Sequence, residues 1–143
     1  MLYQTRFSFL PDERPRHFRS CALPYRALPL LGTPKEAPCG GIYAVLDLED
    51  WWDATVLRWG IGVSRHKDFN KFYGRRTENG VTIWLHKWVC ERAHGPPPTS
   101  DHRIADHLDG NSLNCRHSNM RWATDQTNSQ NKYGFAALQK VLL

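Results

Sequence analysis

Arg103-Ile104-Ala105-Asp106-His107-Leu108, the turn-rich run from Asp109-Gly110-Asn111 to Asn114, Asn119-Met120-Arg121-Trp122 and the segment from Thr124 to Asn131 decide the fold. Glycine reaches positive φ without steric cost, and Asp and Asn side chains bond their own backbone, so Asp109 to Asn114 reads as a loop. The flanking runs then read as two strands of a hairpin. Thr124 is placed to cap a helix through Asp125, Gln126, Asn128 and Asn131, its hydroxyl taking up a free N–H of the first turn. The predicted order is strand, loop, strand, helix.

The polar residues of this unit, Asp106, His107, Asn119 and Asn128, are too concentrated for a merely structural hairpin. A hairpin packed on a helix brings Asp106, near the end of the first strand, towards Asn128, about one turn into the helix. Both offer hard oxygen donors, a set that suits Mg²⁺, which keeps water and takes the rest of its shell from phosphate. Successive strand side chains point to opposite faces, so His107 can address a water molecule from the other side. This is the geometry of metal-assisted phosphodiester hydrolysis; the plainer reading is a surface histidine beside a loop-flanking acid.

Upstream, His86 to His94 has helical character and stops at Gly95-Pro96-Pro97-Pro98. Arg58–Val63, Lys71–Arg76 and Val81–Leu85 read as short strands, the last two joined at Glu78-Asn79-Gly80, whose Asn-Gly step suits a tight hairpin. Ile42–Leu46 reads as a further strand, and Leu48–Leu57 as a short acidic helix or turn carrying Trp51 and Trp52. The middle of the chain is a small antiparallel sheet. Six of the nine prolines fall before Gly40-Gly41, which predicts an irregular, extended arm with no long helix or central strand. The expected organisation is an arm over 1–40, a sheet with a helix over 41–100, the hairpin–helix unit over 101–132 and a tail over 133–143, an α+β chain.

At 143 residues the chain has the length of one domain, and 41% hydrophobic residues including six Trp supply a core. Wholesale disorder, collagen-like and coiled-coil structures are excluded. No apolar run is long enough to span a membrane and no export signal is readable at Met1–Leu10, so an intracellular, cytoplasmic protein is expected. The net charge of +5 favours a polyanionic partner. Residues 1–40 carry six cations (Arg6, Arg14, Arg16, Arg19, Arg26, Lys35) against three acids, a net +3 that can track a phosphate backbone; alternatively the arm packs on the sheet through Phe7, Phe9, Leu10, Phe18 and Tyr25. Cys21, Cys39, Cys90 and Cys115 form no C-x-x-C pair, and a zinc set of Cys90, His94, Cys115 and His117 competes with ordinary buried thiols and surface imidazoles.

Leu85-His86-Lys87-Trp88, Asp106 to Asn111, Asn119-Met120-Arg121-Trp122 and Thr127-Asn128-Ser129-Gln130-Asn131 together closely resemble the HNH endonuclease family, with its ββα-metal motif. The branch it is most similar to is the phage and intron-encoded homing endonucleases, over about Gly41 to Lys132. The resemblance implies a DNA endonuclease that nicks one strand of double-stranded DNA per site, as a monomer or homodimer, with Mg²⁺ as cofactor and Mn²⁺ as a substitute. It implies that His107 is the general base, that Asp106 and Asn128 bind the ion, and that Asn119 pins the hairpin loop. Arg103, Arg116, Arg121, Arg75, Arg76 and His86 are candidate DNA contacts. Met120 replaces the usual Leu, and Cys115 stands where members often have Asn. The rival from another class is a non-catalytic or zinc-stabilised DNA-binding module on the same scaffold. Gly41-Ile42-Tyr43 also matches the opening tripeptide of GIY-YIG nucleases, but Trp59-Gly60-Ile61-Gly62 lacks the tyrosine of their second motif.

Overall fold

Residues 23–134 are described by a computed structural model. Their order is β1 (Tyr25–Leu30), β2 (Ile42–Asp47), α1 (Leu48–Ala54), β3 (Gly60–Arg65), β4 (Asn70–Glu78), β5 (Val81–Trp84), α2 (Leu85–His94), β6 (Ile104–His107), a 3₁₀ turn (His117–Asn119), β7 (Met120–Ala123) and α3 (Asp125–Gln130). The strands form three antiparallel sheets, β1-β2, β3-β4-β5 and β6-β7, so the chain is α+β with a ββα unit at its end. No helix of the described residues is long and apolar enough to cross a membrane.

The expected irregular arm is corrected over its described part. Tyr25–Leu30 is a strand paired with β2, and Leu28 and Leu30 are buried in the core. Pro29 is accommodated because a two-stranded sheet has only edges, where a residue without an N–H is tolerated. Phe7, Phe9, Leu10, Phe18 and Cys21 lie outside the described residues. The strand expected at Arg58–Val63 begins two residues later. Trp59 instead sits 1% exposed in the core, its carbonyl accepting the Leu31 N–H at 2.8 Å, so it ties β1 to β3. In the β4–β5 turn Asn79 and Gly80 both have positive φ, as a two-residue primed hairpin turn requires.

The core lies between the inward face of β1-β2 (Leu28, Leu30, Ile42, Ala44, Leu46) and the helices, through Trp51, Trp52 and Ala54 of α1 and Leu85, Val89 and Cys90 of α2. Gly74 of β4 lets α2 start close to the sheet: a Cβ there would stand 2.8 Å from the Leu85 Cβ and 2.7 Å from its Cδ2. Gly74→Ala is expected to destabilise the domain by about 1–3 kcal/mol through overpacking, read as a lower urea midpoint with an unchanged denaturant slope; a midpoint equal to the parent's would contradict this close approach.

These layers hold the β6–β7 loop on two sides. Val45 of β2 donates to the Leu113 carbonyl at 2.8 Å and accepts from the Cys115 N–H at 2.9 Å, while Ser112 Oγ donates to the Phe72 carbonyl of β4 at 2.6 Å. The far end of α2 is fastened to β7, where His94 Nε2 meets the Met120 carbonyl at 2.7 Å and Trp122 Nε1 donates to the Gly95 carbonyl at 2.9 Å.

Candidate active site

The hairpin loop is built around Asn119. Its Nδ2 donates to Asp109 Oδ1 and to the Asn114 carbonyl, both at 2.8 Å, and its Oδ1 accepts the Asp109 N–H at 3.0 Å. Asp109 in turn accepts from the Asn111 N–H and from Asn114 Nδ2, both at 2.8 Å, so side chains of this polar loop pair largely with one another, the buried Asn114 Oδ1 being left without a partner. Thr124 caps α3 in a reciprocal capping box with Thr127. Beyond the helix, the buried Asn131 donates from Nδ2 to both Asp106 oxygens, at 3.2 and 3.1 Å, and to the His107 carbonyl at 3.0 Å, fastening α3 to the end of β6. Gly134 closes the turn with φ 74 where a Cβ would lie 2.2 Å from the Asp109 carbonyl oxygen, so only glycine fits.

A cleft of about 750 Å³ opens where this unit meets the β3-β4-β5 sheet and the start of α2. Asp106, His107 and Asn128 all border it. Asp106 and His107 leave β6 in opposite senses, Asp106 towards Arg121 and Asn131, and His107 towards His86 and Tyr73, at ring-centroid distances of 5.4 and 6.3 Å. Both residues are 7% exposed. Three lysines from separate elements, Lys71 of β4, Lys87 of α2 and Lys132 after α3, border the cleft too, and Asp106 is the one acid among its described lining residues.

Burial sets the charge state of the imidazoles. It lowers His107 from its usual range to about 4, with Asp109 opposing and Lys71 assisting. Burial beside His107 and Lys87 lowers His86 to about 3, and its Nδ1 is enclosed with no hydrogen-bond partner. His107 Nε2 faces the Cys115 Sγ at 3.9 Å, and burial pushes that thiol up to about 12, keeping it protonated.

In the unfolded chain both histidines take up a proton near pH 6.5, which the folded chain resists down to about 4 and about 3. The unfolded state therefore binds more protons in that window. The stability from keeping both rings neutral is complete above pH 6.5 and is lost progressively as the pH falls towards 4, by a few kcal/mol in total. Urea midpoints between pH 7 and 4 should fall steeply for the parent and less steeply for His86→Gln; equal slopes would remove His86 from this account.

Among the residues expected to contact DNA, His86 borders the cleft. Arg103 pairs with Asp125, Arg76 with Glu78, Arg116 with Asp47 and Arg121 with Asp106, while Arg75 is exposed on β4. None of these arginines is among the residues lining the cleft. The cations that do line it, the three lysines, were not singled out in the sequence because they lie in three separate segments. Asn131 was missed as well, although its place in the Asn128-Ser129-Gln130-Asn131 run was visible. The candidate zinc residues are not gathered: His94 bonds the Met120 carbonyl, His117 sits between Glu49 and Asp50, and Cys115 faces His107. Among the described residues no three His, Cys, Asp or Glu side chains converge on a metal position. An ion bordered by Asp106 and Asn128 would draw one carboxylate and one amide oxygen from the chain and the rest from water and phosphate, a hard-oxygen set that fits Mg²⁺ better than Zn²⁺.

A polar-pinned hairpin, a capped helix and an Asp-His pair bordering a cleft that three lysines also line make up a ββα unit. Residues 84–130, from the end of β5 to the end of α3, match the family model described as HNH endonuclease, so this third of the chain is similar to that family. No curated protein and no solved structure matches the chain.

Proposed function

We propose that the protein is a divalent-metal-dependent endonuclease that hydrolyses phosphodiester bonds of double-stranded DNA, cutting one strand per site. The observation that supports this best is the meeting of His107, Asp106 and Asn128 on one cleft ringed by Lys71, Lys87 and Lys132. The lysines attract the phosphate backbone and hold it over the Asp-His pair. His107, kept neutral by burial and with Nε2 turned to Cys115, has Nδ1 left to accept a proton from the attacking water. Asn119 keeps the loop behind His107 in one conformation, so the ring is held in place before substrate arrives. Asp106 and Asn128 hold Mg²⁺, or Mn²⁺ in its place. When bound, the ion stabilises the charge developing on the phosphate and the leaving oxygen. Cutting both strands takes a second copy or a second encounter.

Supercoiled plasmid incubated with the protein and Mg²⁺ should become nicked circle, and EDTA should stop it. Intact plasmid at every divalent concentration would refute the reading. If the lysines carry the phosphate contacts, Lys71→Ala and Lys87→Ala each make the slope of log K against log salt shallower by about 0.9, measured by fluorescence anisotropy of a labelled duplex at several salt concentrations; unchanged slopes in both would move the DNA path elsewhere.

A further inference from the structure

The carboxylate of Asp106 already holds a cation of this chain. Arg121 stands directly opposite it in the β6–β7 register and donates to Oδ2 from Nε at 2.9 Å and from Nη2 at 2.8 Å. Its guanidinium also lies 3.5 Å from the Thr127 carbonyl of α3. The carboxylate is 8% exposed and the arginine 35%, so Asp106 is fixed in the wall while Arg121 has an outlet towards solvent. The charge balance is unfavourable for a further cation: one carboxylate faces Arg121 and, across the same cleft, Lys71, Lys87 and Lys132. Repulsion between cations gathered on one acid is strong where burial lowers the effective dielectric.

We infer that Arg121 is a competing cation that couples metal binding to nucleic-acid binding. In the free protein it occupies the carboxylate and keeps divalent-ion affinity low. A phosphodiester held by the lysines of the cleft adds the missing negative charge beside the carboxylate, so the ion can displace the guanidinium towards solvent and take Asp106. Linkage makes the effect reciprocal, so the ion also tightens the hold on phosphate. The inference rests on the reading of Asp106 as a metal ligand, and its test separates the two.

Binding of Mn²⁺ alone is measured by electron paramagnetic resonance of the free ion, without DNA, on the full-length parent, Arg121→Gln, Arg121→Lys and Asp106→Asn. Circular dichroism of each checks its fold. Removing the guanidinium charge in Arg121→Gln tightens Mn²⁺ binding about tenfold or more. Arg121→Lys, which keeps a cation beside Asp106, stays near the parent; an affinity matching that of Arg121→Gln would show that charge is not the cause and overturn the inference. Asp106→Asn loses the site. Arg121→Gln binding no more tightly than the parent, while Asp106→Asn has lost the ion, overturns the role of Arg121 and leaves the metal reading standing. Mn²⁺ binding that survives in Asp106→Asn overturns both.

Discussion

His107→Ala lowers the rate of plasmid nicking by about 10²–10⁴-fold, the usual contribution of a positioned base, while DNA binding is retained. The ring packs beside Tyr73, His86 and Cys115 and makes no hydrogen bond to the lysines of the cleft, so its removal leaves the proposed phosphate contacts in place. It also leaves the Asn119 network intact, because Asn119 bonds Asp109 and Asn114 rather than the imidazole. Single-turnover nicking rates beside anisotropy titrations separate chemistry from binding. Nicking at the parental rate would show that His107 is not the base.

Loss of the ion's oxygen donors has the next largest effect. Asp106→Asn and Asn128→Ala abolish nicking at ordinary Mg²⁺, and activity is partly regained with more ion or with Mn²⁺, since the first removes the one carboxylate charge and the second one oxygen ligand from a site with few. The two differ in their structural cost. Asp106 accepts hydrogen bonds from Arg121 and Asn131, and truncation to Ala would remove one acceptor of the buried Asn131 amide, which keeps the His107 carbonyl, and cost about 1–3 kcal/mol. Asparagine keeps one carbonyl acceptor at that position and is the cleaner variant. Asn128 is half-buried on α3 and borders the cleft, so its truncation leaves the melting temperature near the parent's. Nicking rates across a Mg²⁺ titration decide the matter: the parental ion dependence in both variants would place the metal elsewhere.

What the sequence by itself determined is what short-range chemistry dictates. Asn79-Gly80 sets a primed turn, Gly95 and the prolines behind it end α2, Thr124 starts α3, and Asp109 to Asn114 closes the hairpin loop, because each depends on φ preferences or on side chains bonding backbone a few residues away. The Asp106-His107 pair and its partner asparagines were legible for the same reason, being carried on one hairpin and the helix after it. Tertiary structure alone decided the rest. Proline content argued for an irregular, extended arm before Gly40, but β1 forms because β2 pairs with its backbone and the core buries Leu28 and Leu30. Asp50 is buried at 1% exposure only because His117 and Arg92, 67 and 42 residues away, both reach it. The lysines of the cleft, the ring of His86 against His107 and the hold of Arg121 on Asp106 are likewise products of strand pairing and helix packing. Charge and burial at a site are sums over neighbours brought together by the whole core, and no local window of sequence contains those neighbours.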